Sequence, residues 1–242
     1  MVGTSNVVGQ QNKPQKTSPL LYEENFEKSE KLKGLHKQFA TPHAFEVVTE
    51  PVFEGKYAGK FELRYGDPRA TKSGRRSEIL FPQVEEKERW YAFSVFFPKD
   101  GYADDEDSEI ISQWHNCCGT PTLSLRNVNG RLNLRVGHDR KLKGRYWQNF
   151  DFGPVKKDNW MRYVFHIIHS DGPDGLVEVW RDGEKLVSYQ GPNMEKGNDL
   201  PRWKVGIYKS TWDEKATKVS LRKIYFDLIK LAGPSATLED LL

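Results

Sequence analysis

Cysteine is almost missing from this chain of 242 residues. Its two cysteines, Cys117 and Cys118, are neighbours, and because a trans peptide holds adjacent side chains apart, a bridge between them is not expected. With no CxxC and no second cluster, zinc binding and thiol exchange have no support, and a non-catalytic role is expected for the pair. Long apolar runs are also missing. None approaches the roughly 18 residues that cross a bilayer, and the N-terminus lacks the apolar core of a signal peptide, so a soluble chain is expected. Nor is there an excess of one charge: 37 basic against 34 acidic residues give a net +3. No uniformly basic surface for nucleic acid is expected, and an anionic ligand would have to meet a local cluster.

Helical periodicity is scarce too, and what fills its place is short alternating runs rich in aromatics, separated by Gly, Pro, Asp and Asn. Leu123 to Val136 reads as a hairpin, with Leu123, Leu125, Leu132, Leu134 and Val136 on one face and Ser124, Arg126, Asn133 and Arg135 on the other. Leu176 to Tyr189 reads as a second, turning at Asp182-Gly183. Further strands are predicted at HAFEVVTE, KYAGKFELRY, RSEILF, RWYAFSVFFP, EIISQWH, WMRYVFHIIH, RWKVGIYKS and VSLRKIYFDLIKL. Residues 1–18 are polar and patternless, a flexible leader. Residues 19–242 are expected to form one all-β domain, two antiparallel sheets packed face to face in a jelly-roll type of sandwich. The polar connections His138 to Lys157 and Gln190 to Arg202 have the length at which loops serve binding.

Strand alternation then sorts the polar residues. In EIISQWH it puts Ile111, Gln113 and His115 on one face and Ser112 and Trp114 on the other. In RWKVGIYKS the apolar set Trp203, Val205 and Ile207 sends Lys204, Gly206 and Tyr208 to the opposite face, where the glycine lets a ligand approach. In RSEILF, Ile79 and Phe81 read as core, so Arg76 and Glu78 face away from it. His, Gln, Tyr, Lys and Arg on one polar sheet face suit proton abstraction beside a carboxylate. A uronic acid in a polysaccharide has an acidified C5 hydrogen and a leaving group on C4; its elimination needs a base, an acid and a group that neutralises the carboxylate. Histidine, with an ordinary pKa of ~6.5, suits the base, tyrosine serves as acid or base, and Gln, Arg and Lys hold the carboxylate. The parts list needs no metal or nucleophile.

The series GRRSEI, WYAFSVFFP, EIISQWH, GLVEVWRDGEKLVSYQGPN, NDLPRWKVGIYKS and IYFDLIKL, in that order from about residue 22 to 232, resembles the polysaccharide lyases related to heparin lyase I and glucuronan lyase. QWH and KVGIY are its most specific pieces. The resemblance implies a β-jelly roll with a substrate groove on its concave sheet and β-elimination of acidic polysaccharides by a histidine and a tyrosine. By motif these are His115 and Tyr208, with Lys204, Gln113 and Arg76 as substrate contacts. Two features depart from that group. The chain has no room for the extra lobe of heparin lyase I, so heparin specificity does not transfer, and the N-terminal active-site glutamine has no motif that aligns. The resemblance also implies a structural calcium, with Asn198 and Asp199 in the loop where its ligands would lie.

The basic set Arg126, Arg135, Arg140, Lys141, Lys143 and Arg145 runs into the loop with Tyr146 and Trp147. It reads either as a solvated face or as a groove wall; Arg126, Arg135, Arg145, Tyr146 and Trp147 are taken as substrate-binding candidates. His166 and His169, in an apolar strand, read as structural. Tyr225 competes with Tyr208 but belongs to a strand whose other face reads as the outer sheet. DDEDSE, Asp104 to Glu109, reads as a solvated turn or else a cation site. A polyuronate such as glucuronan is favoured over alginate or heparin as partner, for an endo-acting monomer. Secretion or periplasmic export follows from such polymers being extracellular. A sandwich glycoside hydrolase, which needs two carboxylates about 5 to 10 Å apart, and a binding module without activity are the alternatives. The E-x-D-x-x-E pattern of sandwich glucanases is absent.

Overall fold

The computed structural model describes residues 19–116, 119–138 and 146–242, with Tyr146 by its backbone alone. In chain order the strands are β1 (Leu20–Glu24), β2 (His36–Gln38), β3 (Phe45–Val48), β4 (Ala58–Arg64) and β5 (Arg75–Leu80). They continue with β6 (Glu88–Phe96), β7 (Glu109–His115), β8 (Leu123–Val128), β9 (Arg131–His138) and β10 (Tyr146–Pro154). The last are β11 (Trp160–Ile168), β12 (Leu176–Arg181), β13 (Glu184–Gln190), β14 (Arg202–Lys209) and β15 (Leu221–Ala232), followed by a single helical turn, α1 (Leu238–Leu241). Among the described residues no helix is long and apolar enough to cross a membrane.

The strands pair antiparallel in two sheets. One has the order β13-β12-β11-β6-β15-β4-β3, with β1 also on β15; the other has seven strands, β10-β9-β8-β7-β14-β5-β2. The non-sequential order makes neighbours of β7, β14 and β5, so residues far apart in sequence share one face. Alternation explains the layering: Leu132, Leu134 and Val136 of β9 and Val205 and Ile207 of β14 are essentially fully buried between the sheets. So are Phe93 and Val95 of β6, and Tyr163 and Phe165 of β11. Trp203 is the centre of this core, stacked on Phe81 at 4.3 Å and meeting Tyr91 edge-on at 5.1 Å. Burying each such side chain contributes about 1.5–3 kcal/mol.

The sandwich expected from the sequence is present, with both hairpins at their predicted turns. Three strands escape the prediction. β1 and β2 are too short to show a period, and β10 lies inside the polar connection read as a loop. As an edge strand paired only with β9, β10 needs little apolar surface. A second correction concerns β7. Ile111 does not share a face with Gln113 and His115 but is fully buried in the core with Trp114. A register shift between Ile110 and Ser112 inserts an extra residue and turns the alternation over, the geometry of a β-bulge.

Candidate active site

β14 carries the site. Its odd residues Trp203, Val205 and Ile207 are locked in the core, which turns Lys204 and Tyr208 to the outer face of the seven-stranded sheet. The Trp203 indole donates to Ser112 Oγ at 2.8 Å, and that hydroxyl donates to the Lys204 carbonyl at 3.1 Å, tying β14 to β7. Gly206 has φ +139°, and a Cβ there would lie 2.2 Å from the Ser77 carbonyl oxygen, so only glycine lets β5 approach between Lys204 and Tyr208. Behind Tyr208, Lys209 points inward and is fully buried, 2.7 Å from Asp105 and 3.4 Å from Glu109. Glu109 also accepts from Arg222 Nε at 2.6 Å and from the Tyr102 hydroxyl. The end of the strand is thus held by charge from the core side.

Arg76, Gln113, His115, Lys204 and Tyr208, all singled out in the sequence, line one cavity of about 460 Å³. Tyr208 also lines a second, of about 140 Å³, with Arg126 and Arg135. Glu78 organises the first cavity's floor. Fully buried, it accepts from Gln113 Nε2 at 2.6 Å and from Arg76 Nη1 at 3.1 Å. Arg76 also donates to Gln38 Oε1 at 3.3 Å and to the Ser73 carbonyl at 2.5 Å, and its guanidinium lies 4.4 Å from the centre of the Tyr208 ring. Arg76 thus lines the cavity while much of its guanidinium is engaged by Glu78, Gln38 and Ser73.

Gln38 lines the same cavity from β2. It is an N-terminal glutamine where no motif aligned; three residues of strand leave no periodic signal to find it. Glu78 was visible by its parity with Arg76, but its two partners come together only through the register of β5, β14 and β7.

The electrostatics divide the cations. Lys204 is nine-tenths buried, and burial lowers its pKa, with nearby Glu78 opposing. Among the described residues no carboxylate makes an ion pair with Lys204, whose side chain lines the cavity. Burial likewise raises the Tyr208 pKa; Arg76 and Arg126 pull the other way, and Glu78 and Asp213 add to the rise. Tyr208 thus keeps its proton near neutrality, while its two arginine neighbours ease the proton's departure. His115 Nε2 lies 3.0 Å from the Gly119 carbonyl. A carbonyl only accepts, so Nε2 carries the hydrogen in this contact.

Trp147 sits on β10 rather than in a loop, with the Arg135 guanidinium 4.3 Å from its ring centre. The side chain of Tyr146, with Arg145, Arg140, Lys141, Lys143, Cys117 and Cys118, lies outside the described residues. Asn198 and Asp199 engage through the backbone: Asn198 N–H donates to the Glu195 carbonyl at 3.3 Å, and the Asp199 carbonyl accepts from Asn116 at 3.2 Å. Among the described residues no three His, Cys, Asp or Glu are grouped to hold a metal. Asn198 and Asp199 do not by themselves fit a calcium ion. The acidic run is a partly exposed bend tied down by ion pairs: Asp104 pairs with Lys157, Asp105 with Lys209 and Asp107 with Lys215. Tyr225 lies on the other sheet, beside Phe96. His169 is buried against the Tyr91 hydroxyl, with burial pushing its pKa down to about 3, and His166 is held between Glu88 and Glu178. Both are structural.

The polysaccharide lyase profile matches residues 24–230, most of the chain. The chain belongs to the polysaccharide lyase family. The lyase also resembles solved structures. An endo-β-1,4-glucuronan lyase from the fungus Trichoderma reesei matches with TM-score 0.76 at 18% identity, covering 92% of this chain and 98% of that one. A marine PL-14 alginate lyase from Aplysia kurodai matches with TM-score 0.61 at 11% identity, over 89% and 99% of the two chains. Cellulose induced protein Cip1 matches with TM-score 0.59 at 10% identity, over 87% and 96%. At these identities the likeness establishes the fold, while the family match establishes the lyase and sets aside the hydrolase and binding-module alternatives. A search of curated protein sequences gave no match.

Proposed function

We propose that the lyase cleaves an unsulfated polyuronate within the chain by β-elimination, with His115 and Tyr208 as the proton-transfer pair. The observation that carries this reading is the shared cavity: His115, Tyr208 and Lys204 line the same space. Lys204 and Gln113 take the uronate carboxylate and stabilise negative charge as it builds at C5. His115 removes the C5 proton, the electron pair forms the C4–C5 double bond, the C4–O bond breaks, and the departing oxygen takes the Tyr208 proton. A tyrosine that burial keeps protonated and cations make easier to ionise fits the acid. Glu78 positions Gln113 and Arg76 from beneath. The near-balance of charge favours an unsulfated polymer, and the likeness to a glucuronan lyase supports glucuronan ahead of alginate.

Incubation with a panel of acidic polysaccharides tests this, read by the ultraviolet absorbance of the C4–C5 double bond. His115→Ala and Tyr208→Phe are each expected to lower the rate about 10²–10⁴-fold. Near-normal rates in both variants, or new reducing ends without absorbance, would refute the assignment.

A further inference from the structure

The second cavity, beyond Tyr208, is built around a cation that the elimination does not use. Arg76 pairs across the sheet with Tyr208, Tyr208 with Ile110, and Ile110 with Arg126. At ~4.8 Å per strand the two arginines stand about 14 Å apart at their backbones. Both influence Tyr208, Arg76 from one side and Arg126 from the other. A polymer laid across these strands therefore meets both cavities.

Arg126, half-buried, differs from the buried arginines. Arg76 has Glu78, Arg89 has Glu86 and Arg222 has Glu109, while Arg162 donates to the Leu228 and Leu241 carbonyls. Arg126 donates through Nε to Ser124 Oγ at 2.8 Å, and among the described residues no carboxylate pairs with it. Glu109, the acid lining the same cavity, is already held by Arg222, Lys209 and Tyr102. Burial, reinforced by Arg135, lowers the Arg126 pKa to about 9. A half-buried guanidinium that lines a cavity with no carboxylate beside it gains from an anion there, and its planar fork matches a carboxylate. Arg135, laid against the Trp147 ring, adds positive charge to the same wall.

We propose that Arg126 holds the carboxylate of the uronate next to the one undergoing elimination, so that the enzyme selects polymers with carboxylates on consecutive sugars. This rests on the lyase reading above and deepens it. A chain that alternates uronates with neutral sugars puts no anion on Arg126 and is a poor substrate. Arg126 is then a specificity determinant, whereas the Lys204 site serves the chemistry.

The test uses a polyuronate in which about half of the carboxylates have been reduced to primary alcohols, beside the intact polymer. Arg126→Met is expected to lower kcat/KM on the intact polymer about tenfold. On the half-reduced polymer the wild type, which needs two adjacent carboxylates, keeps about a quarter of its rate, and the variant, needing one, keeps about half. Arg126→Lys retains the charge without the fork and is expected to fall between them. Because Arg126 is half-buried and its one side-chain bond is to Ser124 Oγ, Arg126→Met is expected to melt close to the wild-type temperature. Parallel losses in wild type and variant overturn the second carboxylate site alone. A wild type that forms no double bond from any polyuronate overturns the lyase reading with it.

Discussion

Replacing Glu78 by glutamine keeps the side chain's shape and removes its charge at a position with no solvent exposure. The new amide can still turn its oxygen toward Gln113 Nε2, now 2.6 Å from Oε1, but its nitrogen then faces Arg76 Nη1, 3.1 Å from Oε2. Arg76 is left as a buried charge without its counter-ion, a loss worth about 3–5 kcal/mol. At roughly 2–4 °C per kcal/mol for a chain of this size, Glu78→Gln should melt about 10 °C below wild type. Arg76→Met in the same background removes the stranded charge, so the double variant should be more stable than Glu78→Gln alone. Activity should change as well. Glu78 raises the Lys204 pKa against the effect of burial, so its loss moves the alkaline limb of kcat/KM to lower pH. Thermal unfolding followed by circular dichroism, with the double-bond assay across pH, reads both effects. A melting shift under about 2 °C, or an Arg76→Met effect of equal size in both backgrounds, would refute Glu78 as the organising counter-ion.

Gly74 has φ +66°, and a Cβ there would lie 2.1 Å from Tyr208 Cε2, so Gly74→Ala should displace the Tyr208 ring or its loop. A drop in kcat of about tenfold or more with little change in melting is expected; unchanged kcat would show that the Tyr208 position is not critical. Burial raises the Asp227 pKa to about 6 although three backbone N–H groups donate to the carboxylate. The folded state then holds this proton more tightly than the unfolded chain, whose value is about 4. The stability contributed is present below pH ~4 and is lost as pH rises through ~6. The stability of wild type minus that of Asp227→Asn, from urea unfolding, should fall over that window, and a difference independent of pH would contradict the assignment.

Strict alternation assigns β14 in full, because Trp203, Val205 and Ile207 leave Lys204 and Tyr208 one face to occupy. The same rule fails in β7 at Ile111, since a bulge adds a residue that composition does not mark. QWH still identifies Gln113 and His115 correctly as cavity residues, because both lie after the irregularity. Gln38 and the counter-ion role of Glu78 stay hidden for a different reason. They depend on which strands become neighbours, and a three-residue strand or a lone acid holds no record of that pairing. Arg76 illustrates the limit from the other side: its place was legible, but its commitment to Glu78, Gln38 and Ser73 was not.

The hairpin of β8 and β9 turns Leu123, Leu125, Leu132 and Leu134 to the core, and Ser124, Arg126 and Arg135 fall at the alternate positions. Residues of the second group can be exchanged without opening a hole in the first, and none of them moves a proton. If Arg126 reads a second carboxylate, this hairpin, beside the strand of His115, is a place where preference for one polymer over another can drift through single substitutions while the proton-transfer pair stays unchanged.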